Sequence, residues 1–320
     1  MYNKNVWVYI TKKCNLSCPY CYNKINSSAA LMEDKNVINR IKFLLDDLLE
    51  KKKIESIMFT GGEPLLAEET YNLINYFRGR AKLAVYTNGT LLSYENIKKL
   101  SGVDIKISLH GSMKLEDNLK KYADMVSLLE SEKIRYGFIY MVTAENYKHL
   151  YDVYLLLRSA SKHGGFSMKY QPLVIERKDT KENLMLWRKL SLYNLSLEKW
   201  DLFEKEIKKI IAYEKENPLP NKSPVFPFNE GSIDYFDLLK DFYLHKKKKL
   251  ACHNVPIIIF GSDGHVRPCM FLFDKIISSA AGKESPYGDL IHDMPDNEVK
   301  KMKSAQCFSE ACVCTLRPTR

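Results

Sequence analysis

Three cysteines lie close together near the amino terminus. Cys14, Cys18 and Cys21 lie in the segment CNLSCPYCY, which has the pattern C-x3-C-x2-C. Iron–sulfur cubes are usually held by four cysteine thiolates, so three would leave one iron with an open coordination position. An open position on a catalytic metal can take a substrate or a cofactor. A structural zinc knuckle and a redox pair are disfavoured, because zinc sites use paired C-x2-C units and thioredoxin-like sites need one pair.

A second group of five cysteines lies near the carboxyl terminus. Cys252 and Cys269 enclose an apolar run, Val255–Phe260, and the turn Ser262-Asp263-Gly264. A turn of this type beside a strand predicts a β-hairpin, and a hairpin brings its two flanking cysteines near each other. The remaining members are Cys307, Cys312 and Cys314.

The residues between the two cysteine groups alternate between β-rich and helical patterns. The predicted strands are Asn5–Ile10, Ile54–Phe59, Leu83–Tyr86, Asp104–Leu109, Tyr136–Val142 and Ser167–Leu173. A helix with an apolar stripe from Val37 to Leu48 follows the cysteine loop, and a helix over Tyr147–Ala160, capped by Asn146, precedes the last strand. This alternation predicts six βα-like units with parallel pairing and right-handed crossovers. Ligand sites are then expected at the carboxyl ends of the strands.

Glycines and polar residues occur where three of these strands end. The second strand continues into Gly61, Gly62 and Glu63, where paired glycines allow a close backbone approach to a ligand. Glu63 can accept a hydrogen bond from an ammonium group. An ordinary turn with a solvated glutamate is the alternative for this motif alone. The third strand ends at Thr87 and Asn88, and the fourth at His110.

The fourth strand carries polar residues on one face. Because side chains alternate between the two faces of a strand, Lys106, Ser108 and His110 are expected to face the interior, opposite Ile105 and Ile107. Polar side chains on that face predict a ligand cavity. His110 is either a catalytic residue or a hydrogen-bonded histidine at a strand end, and Lys106 is alternatively a snorkelling surface side chain.

With these residues together, the chain resembles the radical S-adenosylmethionine (radical SAM) superfamily. The signature of that family is this cysteine spacing with an aromatic residue, here Tyr20, just before the third cysteine. The segment after the second strand looks like the family's GGE motif. The resemblance implies an α/β fold, a partial (β/α)6 radical SAM barrel. It also implies a [4Fe–4S] cluster bound by Cys14, Cys18 and Cys21, with S-adenosyl-L-methionine (SAM) at its open iron.

The resemblance further implies roles for the residues at the strand ends. Gly61, Gly62 and Glu63 would hold the amino end of SAM, and Ser108 would touch its ribose or its carboxylate. The other cofactor-binding candidates are Tyr20, Thr87, Asn88 and Lys106. Of these, Lys106 would bind the SAM carboxylate. His110 is a candidate catalytic residue.

The carboxyl-terminal cysteines resemble part of a second known pattern. From Cys252 through Gly264 to Cys269 the spacing is C-x11-G-x4-C, which is similar to the opening of the SPASM and twitch extensions that bind auxiliary iron–sulfur clusters. A full SPASM extension holds two clusters and needs more cysteines than this segment has, so one auxiliary [4Fe–4S] cluster is expected. Its implied ligands are Cys252, Cys269, Cys307 and Cys312, with Cys314 as an alternative. By resemblance to peptide-epimerising relatives, the remaining Cys314 is a candidate hydrogen-atom donor; the other interpretation is an unused thiol.

The composition is that of one large domain with an extension. The 320 residues are 45% hydrophobic and 28% charged, which is enough for a substantial core. The predicted domains are a barrel over 1–176, a helical bridge with a proline-rich loop over 177–248, and a small cysteine-rich auxiliary-cluster domain with the hairpin over 249–320. No run approaches the roughly 20 apolar residues of a membrane span, and no signal-peptide pattern is present. We therefore expect a cytoplasmic protein without a membrane partner.

The net charge of +10 is spread over many helices and includes the run Lys246–Lys249. Nucleic-acid binding would be better supported by a localised basic stripe or a known module, so a nucleic-acid partner is not expected. An acidic peptide would also be attracted by a positive field of this kind.

The predicted activity is reductive cleavage of SAM to methionine and a 5′-deoxyadenosyl radical, which then abstracts a substrate hydrogen. The favoured substrate is a ribosomally made peptide that is crosslinked or epimerised, because radical SAM proteins with this type of extension often modify peptides. Oxidation or epimerisation of a small sugar or alcohol is the alternative. A reducing flavodoxin- or ferredoxin-type protein is the expected electron donor. A non-catalytic iron–sulfur or zinc sensor is disfavoured, since a sensor has no evident need for an ammonium-binding pocket.

Overall fold

A computed structural model describes residues 4–18, 21, 35–109, 115–161, 166–173, 185, 189–218, 230–245, 258–260, 265–267 and 278–279. These residues divide between two compact units, one drawn from 1–17, 23–87 and 250–308 and the other from 18–22, 88–249 and 309–320. No described helix is long and apolar enough to cross a membrane.

The secondary structure alternates between strands and helices through most of the chain. In order, the elements are β1 (Asn5–Thr11), α1 (Lys35–Glu50), β2 (Ser56–Gly61), α2 (Glu68–Phe77), β3 (Lys82–Thr87), α3 (Tyr94–Lys99), β4 (Val103–Leu109), α4 (Leu115–Ser131), β5 (Tyr136–Val142), α5 (Leu150–Ala160), β6 (Met168–Pro172), α6 (Leu197–Glu216), α7 (Glu230–His245), β7 (Ile258–Phe260), β8 (His265–Arg267) and β9 (Ser278–Ser279). Short 3₁₀ turns cover Pro64–Leu66, Tyr147–His149 and Leu192–Asn194.

The first unit has the strand order β3-β2-β1-β7-β8-β9. The first four of these strands are parallel, with Val8 of β1 beside Phe59 of β2 on one side and beside Phe260 of β7 on the other. The pairs β7–β8 and β8–β9 are antiparallel. The Ser262-Asp263-Gly264 turn predicted from the sequence lies outside the described residues.

Two helices of the first unit bury apolar stripes. Ile41, Leu44, Leu45 and Leu48 of α1 are all buried, and their spacing of three and four residues places them on one helix face. The buried side chains of α2 include Leu73, Ile74 and Phe77, and those of the strands include Val6, Val8, Ile57, Phe59 and Val85. Burying each side chain of this size contributes about 1.5–3 kcal/mol, so this core fixes the strand ends that carry the candidate site.

The second unit contains the parallel strands β4, β5 and β6, with Ile107 beside Phe138 and Phe138 beside Met168. The predicted α/β class with parallel strands is therefore confirmed within each unit. Phe138 makes edge contacts with Tyr122 of α4, at 6.5 Å between ring centroids, so helices cover this face. Side chains alternate along a strand, and Lys106 and Ser108 consequently lie on the opposite face.

Helices α6 and α7 also belong to the second unit. Arg158 of α5 donates to the Glu214 carboxylate of α6 at 3.0 Å and to the Asn217 carbonyl at 2.9 Å. Trp200 and Phe203 of α6 pack against Phe236 of α7 at centroid distances of 5.6 and 5.2 Å. Part of the region predicted as a helical bridge is thus held against α5.

The start of α5 corrects one prediction from the sequence. The helix begins at Leu150, after a 3₁₀ turn, and the Asn146 side chain forms no cap with it. The Asn146 Oδ1 atom accepts the Thr143 amide at 2.8 Å, and its Nδ2 donates to the Met141 carbonyl at 2.9 Å. The predicted helix cap is wrong, because this side chain closes the turn after β5.

Candidate functional site

The cysteine loop leaves the carboxyl end of β1. The Lys13 amide donates to the Thr11 hydroxyl at 3.0 Å, and the Leu16 amide donates to the Cys14 sulfur at 3.4 Å. Amide hydrogen bonds of this kind stabilise a cysteine thiolate and tune an iron–sulfur centre. The Cys21 amide donates to the Cys18 carbonyl at 3.0 Å, which closes a turn.

The residues Cys14, Cys18 and Cys21 are half-buried. Across the described ranges, no group of three or more histidine, cysteine or acidic side chains is arranged as a metal site. Cluster binding by these three cysteines therefore stays a prediction. The donor set itself fits the cofactor, because thiolates are the ligands that iron–sulfur clusters prefer.

The two glycines after β2 pack against the backbone that leads into the cysteine loop. A Cβ atom on Gly61 would lie 2.3 Å from the Thr11 carbonyl oxygen, and one on Gly62 would lie 2.1 Å from the Lys13 carbonyl oxygen. The Gly62 amide donates to the Thr11 carbonyl at 2.7 Å, and the Glu63 amide donates to the Lys13 carbonyl at 2.8 Å. Glycine is needed here because neither backbone can move away without breaking these hydrogen bonds.

The sequence did not predict this backbone contact. The glycines were expected to let the backbone approach a ligand closely. The signal that could have found it is the parallel pairing of β1 with β2, which places Thr11 beside Gly61. Gly61 also has a φ of +147°, a conformation that favours glycine.

The Glu63 side chain is completely buried. Its Oε1 atom accepts the Leu65 amide at 3.0 Å and the Thr87 hydroxyl at 2.8 Å. The first bond caps the 3₁₀ turn Pro64–Leu66, which Thr70 of α2 also holds by donating to the Pro64 carbonyl at 2.6 Å. The alternative of a solvated glutamate is therefore wrong, because burial and two donors fix this carboxylate.

The negative charge of the Glu63 carboxylate also affects the neighbouring Tyr71. Burial, and then the negative charges of Glu63 and Glu68, raise the pKa of the Tyr71 hydroxyl to about 12. Tyr71 therefore stays protonated at neutral pH and lies close to the carboxyl end of β2.

The end of β3 carries two candidate residues with different surroundings. Thr87 is buried and donates to Glu63. Asn88 forms a turn in which its Oδ1 accepts the Thr90 amide at 2.9 Å and the Thr90 hydroxyl at 2.6 Å. Gly89 follows with a φ of +78°, and a Cβ atom there would lie 3.1 Å from Ile107. The turn after β3 is thus ordered by side-chain hydrogen bonds typical of asparagine.

Lys106 and Ser108 lie on β4, on the face opposite the covering helices. Ser108 is half-buried, whereas Lys106 is only 3% exposed. The Lys106 amine lies 3.9 Å from Asp104, whose carboxylate also pairs with Arg135 at 2.8 Å. Burial lowers the pKa of Lys106 to about 8, although Asp104 opposes the shift. A snorkelling surface lysine is therefore the wrong interpretation, because the amine does not reach solvent.

The remaining candidates lie outside the described residues, and their roles stay predictions. They are Tyr20, His110, Cys252, Cys269, Cys307, Cys312 and Cys314.

Comparison with known proteins identifies the first half of the chain. Residues 8–157, from β1 into α5, match the family model of the radical SAM superfamily. The chain therefore contains a radical SAM domain. That domain holds the cysteine loop, the Gly61–Glu63 segment and the ends of β3 and β4.

Two known sequences show how far the similarity extends along the chain. An uncharacterized protein of Methanocaldococcus jannaschii is 27% identical over 263 residues, which span 75% of this chain and 84% of that protein. The Fe-coproporphyrin III synthase of Methanosarcina barkeri is 31% identical over 165 residues, spanning 48% of this chain and 40% of the synthase. The second similarity covers less than half of either chain.

A solved structure gives the same fold. Native anSMEcpe with bound AdoMet and a Kp18Cys peptide superposes with a TM-score of 0.63 at 18% identity, covering 94% of this chain and 82% of that one. An identity this low shows the fold alone. The predicted radical SAM partial barrel is confirmed at that level, while the hairpin-bearing carboxyl-terminal domain stays a prediction.

Proposed function

We propose that this radical SAM enzyme modifies a ribosomally made peptide by hydrogen abstraction, forming a crosslink or inverting a stereocentre. The observation that carries the radical SAM chemistry is the backbone connection between Glu63 and Lys13. It joins the segment expected to bind the SAM ammonium group to the residue before Cys14.

The residues of the site fit a cluster and SAM. Three cysteines supply thiolates for three irons of a [4Fe–4S] cluster. Glu63 supplies a fixed carboxylate, which accepts hydrogen bonds from an ammonium group. Ser108 and Lys106 share one face of β4 and supply a hydroxyl and a cation for the SAM ribose or carboxylate. When bound, this pair of cofactors supplies a one-electron cleavage of the C5′–S bond of SAM, giving methionine and a 5′-deoxyadenosyl radical that takes a hydrogen atom from the substrate.

The remaining parts of the proposal concern residues outside the described ranges. Cys252, Cys269, Cys307 and Cys312 would hold one auxiliary [4Fe–4S] cluster, and Cys314 would return a hydrogen atom to a peptide radical in an epimerisation. The electron for cleavage would come from a reduced flavodoxin- or ferredoxin-type protein.

Two observations support a peptide as the substrate. The structure of anSMEcpe, which has a similar fold, was solved with AdoMet and a peptide. The net charge of +10 would attract an acidic peptide. A small molecule is the second candidate, because the Methanosarcina relative is named as a synthase of Fe-coproporphyrin III.

Substrate class can be tested directly. Anaerobically reconstituted protein is incubated with SAM, dithionite and short peptides encoded beside its gene, in normal and in deuterated water, and the peptides are analysed by mass spectrometry. A crosslink lowers the peptide mass by two hydrogens, and an epimerisation raises it by one mass unit in deuterated water only. Unchanged peptides together with SAM consumption on small sugars or alcohols would replace the peptide by the small-molecule alternative.

A further inference from the structure

The carboxylate of Glu63 is held by a residue on the neighbouring strand. The Thr87 hydroxyl, at the end of β3, donates to Glu63 Oε1 at 2.8 Å. The Thr87 side chain is 2% exposed and that of Glu63 is fully buried. The Leu65 amide donates to the same oxygen at 3.0 Å. The oxygen is therefore fixed from two directions, by the next strand and by the turn that follows Glu63.

These bonds determine the orientation of the whole carboxylate. Hydrogen bonds are stronger in a buried, low-dielectric environment than in water. Threonine is also stiff about χ1, so its hydroxyl presents a donor at low entropic cost. A carboxylate has about four acceptor directions shared between two oxygens. Fixing Oε1 consequently fixes the directions in which Oε2 can accept a further bond.

We propose that Thr87 is a positioning residue, which holds the Glu63 carboxylate in the orientation that accepts the ammonium group of SAM. This inference rests on the proposed function and deepens it. It gives Thr87 an indirect role in place of the direct cofactor contact expected from the sequence.

The first test compares Thr87→Val, which removes the hydroxyl at nearly constant shape, with Thr87→Ser, which keeps it. Both proteins are reconstituted with iron and sulfide, and SAM binding is followed by the change in the EPR spectrum of the reduced cluster. Because a hydrogen bond to a charged group is worth more than a neutral one, we expect Thr87→Val to raise the Kd for SAM about tenfold. Thr87→Ser is expected to stay within about twofold of the wild type, and iron content should stay unchanged in both.

Two SAM analogues separate the indirect role from a direct contact. Decarboxylated SAM keeps the ammonium group and lacks the carboxylate, whereas 5′-methylthioadenosine lacks both. If Thr87 acts through Glu63, the rise in Kd caused by Thr87→Val should persist with decarboxylated SAM. It should vanish with methylthioadenosine. A penalty that disappears with decarboxylated SAM would mean that Thr87 touches the carboxylate directly, and the proposal would be wrong.

The test also distinguishes this inference from the proposed function. If the cluster-loaded wild type does not bind SAM, the proposed function fails. If the wild type binds SAM and Thr87→Val binds it equally well, only the positioning role fails. Should Thr87→Val not fold, as judged by circular dichroism, Thr87→Cys replaces it. A thiol is a weak donor, so an unchanged Kd in that variant would also overturn the proposal.

Discussion

The amide of Glu63 donates a 2.8 Å hydrogen bond to the carbonyl of Lys13, the residue directly before Cys14. One step earlier, the Gly62 amide donates to the Thr11 carbonyl at 2.7 Å. The segment predicted to bind the SAM ammonium group and the loop predicted to bind the cluster therefore share a backbone connection. A displacement of either segment is transmitted to the other.

Gly62→Ala should impair cluster assembly. The new Cβ atom would lie 2.1 Å from the Lys13 carbonyl oxygen, and real Cβ atoms do not approach backbone that closely, so the loop must shift. We expect reconstituted Gly62→Ala to hold substantially less iron than the wild type while its far-ultraviolet circular dichroism is retained. Iron is measured by colorimetric assay per mole of protein.

Gly79→Ala is the matched control for that variant. Gly79 has a φ of +77°, and nothing lies within 4 Å of an added Cβ atom. Alanine there costs about 1 kcal/mol of stability through backbone strain and should leave the iron content unchanged. Equal iron in Gly62→Ala and the wild type would show that the close approach does not position the cysteine loop.

Lys106→Met should change the pH dependence of stability. The folded chain releases this proton near its lowered pKa of about 8, whereas the unfolded chain keeps it up to about 10.5. Between these values the unfolded state binds more protons, so the stability of the wild type rises with pH. The difference between these two pKa values corresponds to roughly 3 kcal/mol as an upper value. Urea unfolding from pH 7 to pH 10 should find the variant more stable at pH 7 and the difference smaller at pH 10.

Lys51→Met is the control for this comparison, because Lys51 is exposed and pairs with Asp47 one helical turn earlier. Its free energy of unfolding should stay within about 1 kcal/mol of the wild type at every pH. A constant difference between Lys106→Met and the wild type across the same range would contradict the lowered pKa.

The sequence predicted the strands better than it predicted the contacts between the strand ends. Alternation along β4 correctly placed Lys106 and Ser108 on one face, because period 2 is a property of the strand alone. The nearly complete burial of Lys106 could not be predicted from alternation alone, since it depends on what covers that face.

The Gly61-Gly62-Glu63 segment shows the same limit. Its composition indicated a close backbone approach, but the partner was the Thr11–Lys13 backbone, which only the register of β1 against β2 specifies. The bond between Thr87 and Glu63 likewise requires two strand ends to meet at one edge. Both are consequences of parallel pairing, whose register the residue string does not encode locally.

Tyr136→Phe should destabilise the fold without touching the candidate site. The Tyr136 hydroxyl donates to the buried Glu130 carboxylate at 2.8 Å, and the Ser161 hydroxyl donates to the same oxygen at 2.8 Å. Removing one donor from a buried carboxylate costs about 1–3 kcal/mol. Urea unfolding should show this loss, with iron content and SAM binding unchanged.

Tyr94→Phe provides the reference for that measurement. Tyr94 is 54% exposed and its hydroxyl pairs with Lys98 at the protein surface, so its loss should change stability by less than about 0.5 kcal/mol. If both tyrosine variants unfolded at the same urea concentration as the wild type, the buried network would contribute nothing measurable.

Cys252→Ala and Cys269→Ala should each remove the auxiliary cluster. With one [4Fe–4S] cluster in the barrel and one in the extension, iron should fall from about eight to about four atoms per chain. Cys314→Ala is the internal comparison, because the favoured ligand set uses Cys307 and Cys312 in place of this thiol. Its iron content should equal that of the wild type, and a loss of iron in this variant would make Cys314 the alternative ligand. Full iron retention in Cys252→Ala would exclude that residue as a ligand.

The most direct test of the account is the formation of 5′-deoxyadenosine from SAM. Anaerobically reconstituted protein is mixed with dithionite and SAM, and the nucleoside is quantified by liquid chromatography with mass spectrometry, beside Cys14→Ala, Cys18→Ala and Cys21→Ala. We expect 5′-deoxyadenosine from the wild type and none above background from the three variants. Cluster-loaded wild-type protein that binds iron but forms no 5′-deoxyadenosine would contradict the central claim.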